Sequence, residues 1–181
     1  MSAGPVGCYP GSFNPPTVAH LAVAEAAARQ GRLARVDLVL SRVALGKEAV
    51  VEPTVDQRRV VLEAVAAGRP WLGVVVTDGR LIAEVAAGYD AVVMGADKWA
   101  QVLDPVWYGG SAAARDAAVA SLPRVLVAPR AGVVPEGVEV LDVPADLHEV
   151  SASAVRAAVA GTAAWLVPEA RAFPYWRPPP G

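Results

Sequence analysis

Two short runs, far apart in the chain, carry residue types suited to holding phosphate. The first is Gly11-Ser12-Phe13-Asn14-Pro15-Pro16-Thr17-Val18-Ala19-His20. A glycine at its start lets backbone approach a ligand closely. Thr17 and His20 stand three apart at a predicted helix start, so both project from the first turn on one side. A hydroxyl and an imidazole there can donate to phosphate oxygens, helped by the free amides and positive dipole end of the helix. The second run is Val150-Ser151-Ala152-Ser153-Ala154-Val155-Arg156. Hydroxyls and amides at a helix start, with an arginine one turn in, make a compact anion trap. Neither Gly-x-Gly-x-x-Gly nor Gly-Lys-Ser/Thr occurs, so the familiar phosphate loops are excluded.

The elements that must position these runs follow from pattern. Residues 5–10 read as a short buried strand, and a helix follows from about Val18 to Gln30, with Thr17 as N-cap and Gly31 closing it. Strands are expected at 36–40, 71–76, 90–94, 124–128 and 138–143. Helices are expected over 54–67, 78–87, from Ala96, over 111–121, over 153–160 and near 163–173, with a loop at 42–53. Strands alternating with helices at this spacing imply an α/β domain: a doubly wound parallel sheet with helices on both faces. Residues 1–173 are expected to form that single domain. Pro174 to Gly181 read as a proline-rich tail outside the core.

Composition narrows the partners. The 181 residues suffice for one domain with a substantial core. A formal charge of −2 supplies no global basic field, so a nucleic acid polymer is not expected and a few local cations must hold any anion. The single cysteine, Cys8, precludes an intrachain disulfide and reads as a buried, inert thiol in a reducing compartment. The first 24 residues lack Lys and Arg and are broken by glycines and prolines. Neither a signal peptide nor a membrane span is expected from them, which favours a cytoplasmic location.

The first run resembles the signature of the nucleotidylyltransferase superfamily, a Gly-Ser/Thr-Phe-Asp/Asn-Pro turn followed by His/Thr-x-Gly-His. Gly11, Ser12, Phe13, Asn14, Pro15, Thr17 and His20 match, and Ala19 stands where the family usually has Gly. The second run resembles that superfamily's Ile-Ser-Ser-Ser/Thr-x-x-Arg, with Ala152 replacing one serine. Leu166 to Ala170 look like its closing helix. Met94-Gly95-Ala96-Asp97, followed ten residues later by Trp107, is similar to nicotinate and nicotinamide mononucleotide adenylyltransferases. The resemblance spans Tyr9 to about Phe173.

It implies transfer of AMP from ATP, with Mg²⁺, to the phosphate of a pyridine mononucleotide, releasing pyrophosphate. Carried over residue by residue, it gives His20, Thr17, Lys47 and Arg156 as the catalytic set. Gly11, Ser12, Phe13, Gly95, Asp97, Ser151 and Ser153, again with Arg156, fall to ATP; Asn14, Arg58 and Trp107 fall to the acceptor. No residue is assigned to a metal. By residue type alone Asp97 also fits a helix cap, Trp107 a core position and His20 a capping histidine. Trp99 reads as structural, and His148 has no assigned role. Phosphopantetheine adenylyltransferases share Tyr9-Pro10-Gly11-Ser12-Phe13 and Thr17 but carry arginine where this chain has Gly95 and Asp97. A cytidylyltransferase and a non-catalytic nucleotide-binding module are the further alternatives, and a homo-oligomer is open.

Overall fold

The strand residues alternate in the side they bury, which is why one sheet can carry two cores. The computed structural model describes residues 4–43 and 52–176. Its strands are β1 (Val6–Pro10), β2 (Arg35–Ser41), β3 (Leu72–Thr77), β4 (Ala91–Gly95), β5 (Arg124–Ala128) and β6 (Glu139–Val140). Its α-helices are α1 (Val18–Gly31), α2 (Val55–Ala66), α3 (Ile82–Val85), α4 (Ala96–Leu103), α5 (Ala112–Ala120) and α6 (Ala152–Arg156). All strand pairs are parallel, in the order β3-β2-β1-β4-β5-β6.

Leu38, Leu40, Val93 and Leu126 bury one side against Val23 and Ala27 of α1 and Val61, Leu62 and Val65 of α2. Cys8, Val39, Val92 and Met94 bury the other against Val85, Trp99 and Val102. Helices thus cover both faces, as a parallel sheet requires, each buried Val or Leu contributing about 1.5–3 kcal/mol. This is the Rossmann-like α/β fold expected from the sequence. The strand order reverses between β1 and β4, and the crevice beyond the carboxyl ends of those two strands is where such sheets bind ligands. Both phosphate-type runs open onto it.

Several boundaries differ from the expected ones. Gly31 does not close α1; it is the last helical residue, and Arg32 takes the left-handed position at φ 53°. A Cβ on Gly31 would meet Leu126 and Leu33 at 3.0 Å, so its smallness serves helix-to-sheet packing. α3, four residues long rather than ten, starts only at Ile82 because the Glu84 carboxylate accepts from the backbone N–H groups of Arg80 and Leu81, at 2.7 and 3.1 Å. Those bonds hold its pKa below the ordinary carboxylate value and leave residues 78–81 as a loop. The expected helix at 163–173 resolves into 3-10 turns over Thr162–Trp165 and Pro168–Ala172, split by Pro168. The expected strand at 138–143 shortens to Glu139–Val140.

The first three residues of the expected tail are the largest correction, while residues 177–181 lie outside the described residues. Pro174–Trp176 forms a 3-10 turn, and Trp176 is 8% exposed within the main core cluster. An indole's apolar area outweighs the cost of ordering a segment that proline has already stiffened. No described helix is long and apolar enough to cross a membrane.

Cys8 is fully buried, and burial pushes its thiol up to about 12. At pH 8 the folded protein should therefore leave a thiol-disulfide reagent such as DTNB unreacted. The same chain in denaturant should release one equivalent of chromophore. Rapid native-state labelling would contradict this packing.

Candidate functional site

The turn after β1 is braced from inside before it meets any ligand. Gly11 extends the strand pairing by donating its N–H to the Val39 carbonyl at 3.0 Å. Its missing Cβ serves the protein first: a side chain there would meet the Phe13 ring at 2.8 Å. Phe13 adopts φ 43°, a left-handed conformation costing about 1–2 kcal/mol, which burial of its ring to 1% exposure offsets. The ring lies edge-on to Tyr9 and His20, with centroids 5.4 and 5.1 Å away.

His20 and Thr17 act as a unit. The Thr17 backbone N–H donates to His20 Nδ1 at 3.0 Å, and the Thr17 hydroxyl lies 2.9 Å from the same nitrogen. An amide can only donate, so Nδ1 must carry the lone pair. The neutral ring then holds its proton on Nε2. Thr17 is 1% exposed, so its hydroxyl serves the imidazole more directly than it serves an incoming phosphate.

The second run arrives at the same place. Ser151 caps α6, its Oγ accepting from the Ala154 N–H at 3.3 Å. Arg156 donates from Nη2 to Ser153 Oγ at 3.0 Å and from Nη1 to the carbonyl of Asn14. His20 and Arg156, 136 positions apart, line one polar cavity together with Ser12, Asp97, Ser151 and Ser153. Gly95 supplies its wall at the end of β4.

Asn14 lines the polar cavity, whereas Arg58 is not among its lining residues, and the side chains of both are bonded inward. Asn14 is 3% exposed; its Oδ1 accepts from Trp176 Nε1 at 2.6 Å while its carbonyl takes Arg156. Arg58 is 5% exposed and donates from Nε to the Pro53 carbonyl and from Nη1 to the Ser12 carbonyl, at 3.0 and 2.7 Å. Burial pushes its guanidinium below the ordinary value. Both side chains hold the motif turn in shape, because a turn this crowded leaves carbonyls that only buried donors can reach. Lys47 lies outside the described residues.

Trp107 lines a second, more apolar cavity with Ser41, Arg80, Leu81, Lys98 and Tyr108. Asp104 caps the 3-10 turn that carries Trp107, accepting from the Val106 N–H at 3.0 Å, and Tyr108 anchors it by donating to the Val102 carbonyl at 3.0 Å. Trp99 is buried in the core beside it.

Sequence reasoning missed several lining residues. Arg130 lies past β5 and pairs with Asp97 at 3.1 Å, an exposed contact worth about 0–1 kcal/mol. His148 lines the polar cavity, its Nε2 2.9 Å from the Val143 carbonyl. Lys98, Gln101 and Arg80 also went unseen. None belongs to a recognisable run, and only the position of Lys98 one residue past Asp97 offered a clue. Among the described residues no three His, Cys, Asp or Glu side chains converge as a metal cage.

A doubly wound sheet with two helix starts converging at its switch point is an α/β arrangement suited to holding a phosphorylated ligand. The family described as cytidylyltransferase-like matches residues 8–158, and the chain belongs to that family, within the nucleotidyltransferase superfamily. The match points to nucleotidyl transfer as the general chemistry. No curated protein matches the chain.

Trp176→Phe keeps most of the ring's packing but removes the N–H that serves Asn14 Oδ1. Leaving that buried acceptor without its donor should cost about 1–3 kcal/mol in urea denaturation. An unchanged midpoint would show that the bond contributes nothing to holding the turn.

Proposed function

We propose that this protein transfers AMP from ATP to the phosphate of nicotinate or nicotinamide mononucleotide, releasing pyrophosphate. The observation that supports it best is the pairing of a polar cavity, rimmed by His20 and Arg156, with an apolar one beside Trp107. The polar cavity suits a triphosphate, and the apolar one suits a flat heteroaromatic ring stacked on indole.

In this reading the acceptor phosphate attacks the α-phosphorus in line and pyrophosphate departs. The nucleophile is already anionic near neutral pH, so no side chain need remove a proton. Catalysis is positioning and charge neutralisation. His20 Nε2–H donates to the α-phosphate as negative charge builds. Thr17 fixes the tautomer that makes this donation available. Arg156, Ser151 and Ser153 hold the phosphates, and Lys47 is a further phosphate contact. Gly11, Ser12 and Phe13 shape the cradle, while Gly95 and Asp97 meet the nucleoside. Mg²⁺ would enter as part of the ATP complex and would supply neutralisation of phosphate charge, with no residue of this chain assigned to hold it. A cytoplasmic setting suits substrates of this kind.

The family's description names cytidylyl transfer, so CTP is the second reading for the donor. A panel of ATP and CTP against both pyridine mononucleotides and phosphopantetheine, followed by pyrophosphate release, separates these. Turnover confined to ATP with a pyridine mononucleotide is the expected result.

His20→Ala should lower kcat by about 10²–10³ with the fold intact, the scale for losing one transition-state donor. A loss under about threefold would remove His20 from the chemistry. Arg156→Ala should chiefly raise the KM for ATP. If KM and kcat both stayed at parent values, the second run would have no part in nucleotide handling.

A further inference from the structure

The polar and apolar cavities share five lining residues: Pro10, Gly11, Ser12, Lys98 and Gln101. Where two cavities meet, the reacting ends of their two occupants must meet as well. Lys98 is the one charged side chain of those five. It stands on the first turn of α4, and its Nζ donates to Gln101 Oε1 at 2.6 Å, one turn along the helix.

The surroundings of this ammonium ask for an anion. Burial pushes its pKa below the ordinary lysine value, so folding has removed water from a cation. Among the described residues no carboxylate lies in ion-pair range of it, in contrast to eight other pairs. Its one described partner is the neutral amide of Gln101. A partly desolvated cation without a counter-charge is costly unless an anion completes it.

We propose that Lys98 is a catalytic residue whose ammonium bridges the two reacting phosphates, the α-phosphate of the nucleotide and the phosphate of the acceptor. Gln101 is its positioning residue. The assignment rests on the adenylyl-transfer reading above and adds a group which that reading lacks. In the step itself, a lone pair on the acceptor phosphate forms the new bond to the α-phosphorus. The bond to the α,β-bridging oxygen breaks, and its electrons leave on pyrophosphate. No proton or redox equivalent changes hands. Lys98 brings two mutually repelling anions together and stays charged throughout, which is electrostatic preorganisation at the reacting centre.

The test has two arms, both on the full chain. In the first, the affinities of AMP and adenosine are measured by calorimetry for the parent and for Lys98→Met. Loss of one charge-assisted contact should weaken AMP by roughly tenfold or more and leave adenosine unchanged. In the second, pyrophosphate release with ATP and a pyridine mononucleotide should fall by about 10²–10³ in kcat for Lys98→Met. Lys98→Arg should recover part of that loss, and Gln101→Ala should lose less than Lys98→Met.

AMP and adenosine affinities that change in parallel, or a kcat within threefold of the parent, would overturn the role of Lys98. A parent that binds AMP but turns over neither pyridine mononucleotide would overturn the acceptor reading alone, and the binding arm then decides Lys98. A parent that binds no adenine nucleotide would overturn both.

Discussion

The arrangement depends on what happens at Asn14. Its carbonyl takes a hydrogen bond from Arg156, and its side-chain oxygen takes another, at 2.6 Å, from Trp176. A residue in the first strand-to-helix turn thereby joins two segments from the far end of the chain. The Val167 N–H adds a third tie to the Pro16 carbonyl at 3.3 Å. Without these contacts α6 would have no reason to present its start to the cavity that α1 faces. Each bond is worth only about 1–3 kcal/mol, but each satisfies a group that burial would otherwise leave without a partner.

The motif turn illustrates how a ligand site can be built largely from residues that face inward. Phe13 fills the space that Gly11 vacates, Arg58 holds the Ser12 carbonyl, and Thr17 orients His20. These residue types look like ligand contacts in a linear sequence. In the fold most of them fix the backbone and the imidazole, and preorganisation of that kind is what phosphate chemistry requires of a protein.

The architecture was legible because its signals are local and redundant. Nearly continuous apolar runs in β2 and β4, alanine-rich helices and short connections all point to one parallel sheet. The phosphate-type runs were legible for the same reason, since each is a contiguous turn and helix start. Arg130, Lys98 and Arg80 were not, because a cation's meaning depends on which cavity it borders, and that depends on loops from different strands. The helix at 78–87 started late because Glu84 reaches back to the N–H groups of Arg80 and Leu81 and caps the chain just ahead of Ile82.

By itself, the sequence settled the kind of sheet, the two helix starts that could hold phosphate and the presence of His20 and Arg156 within them. Those are matters of residue type and spacing over one or two turns. Only the tertiary structure decided that the two starts share a cavity, that Trp176 belongs to the core, and that Lys98 stands where two cavities join. Such facts rest on contacts between residues as far apart as 162 positions, and no local pattern encodes which distant groups a buried donor will meet.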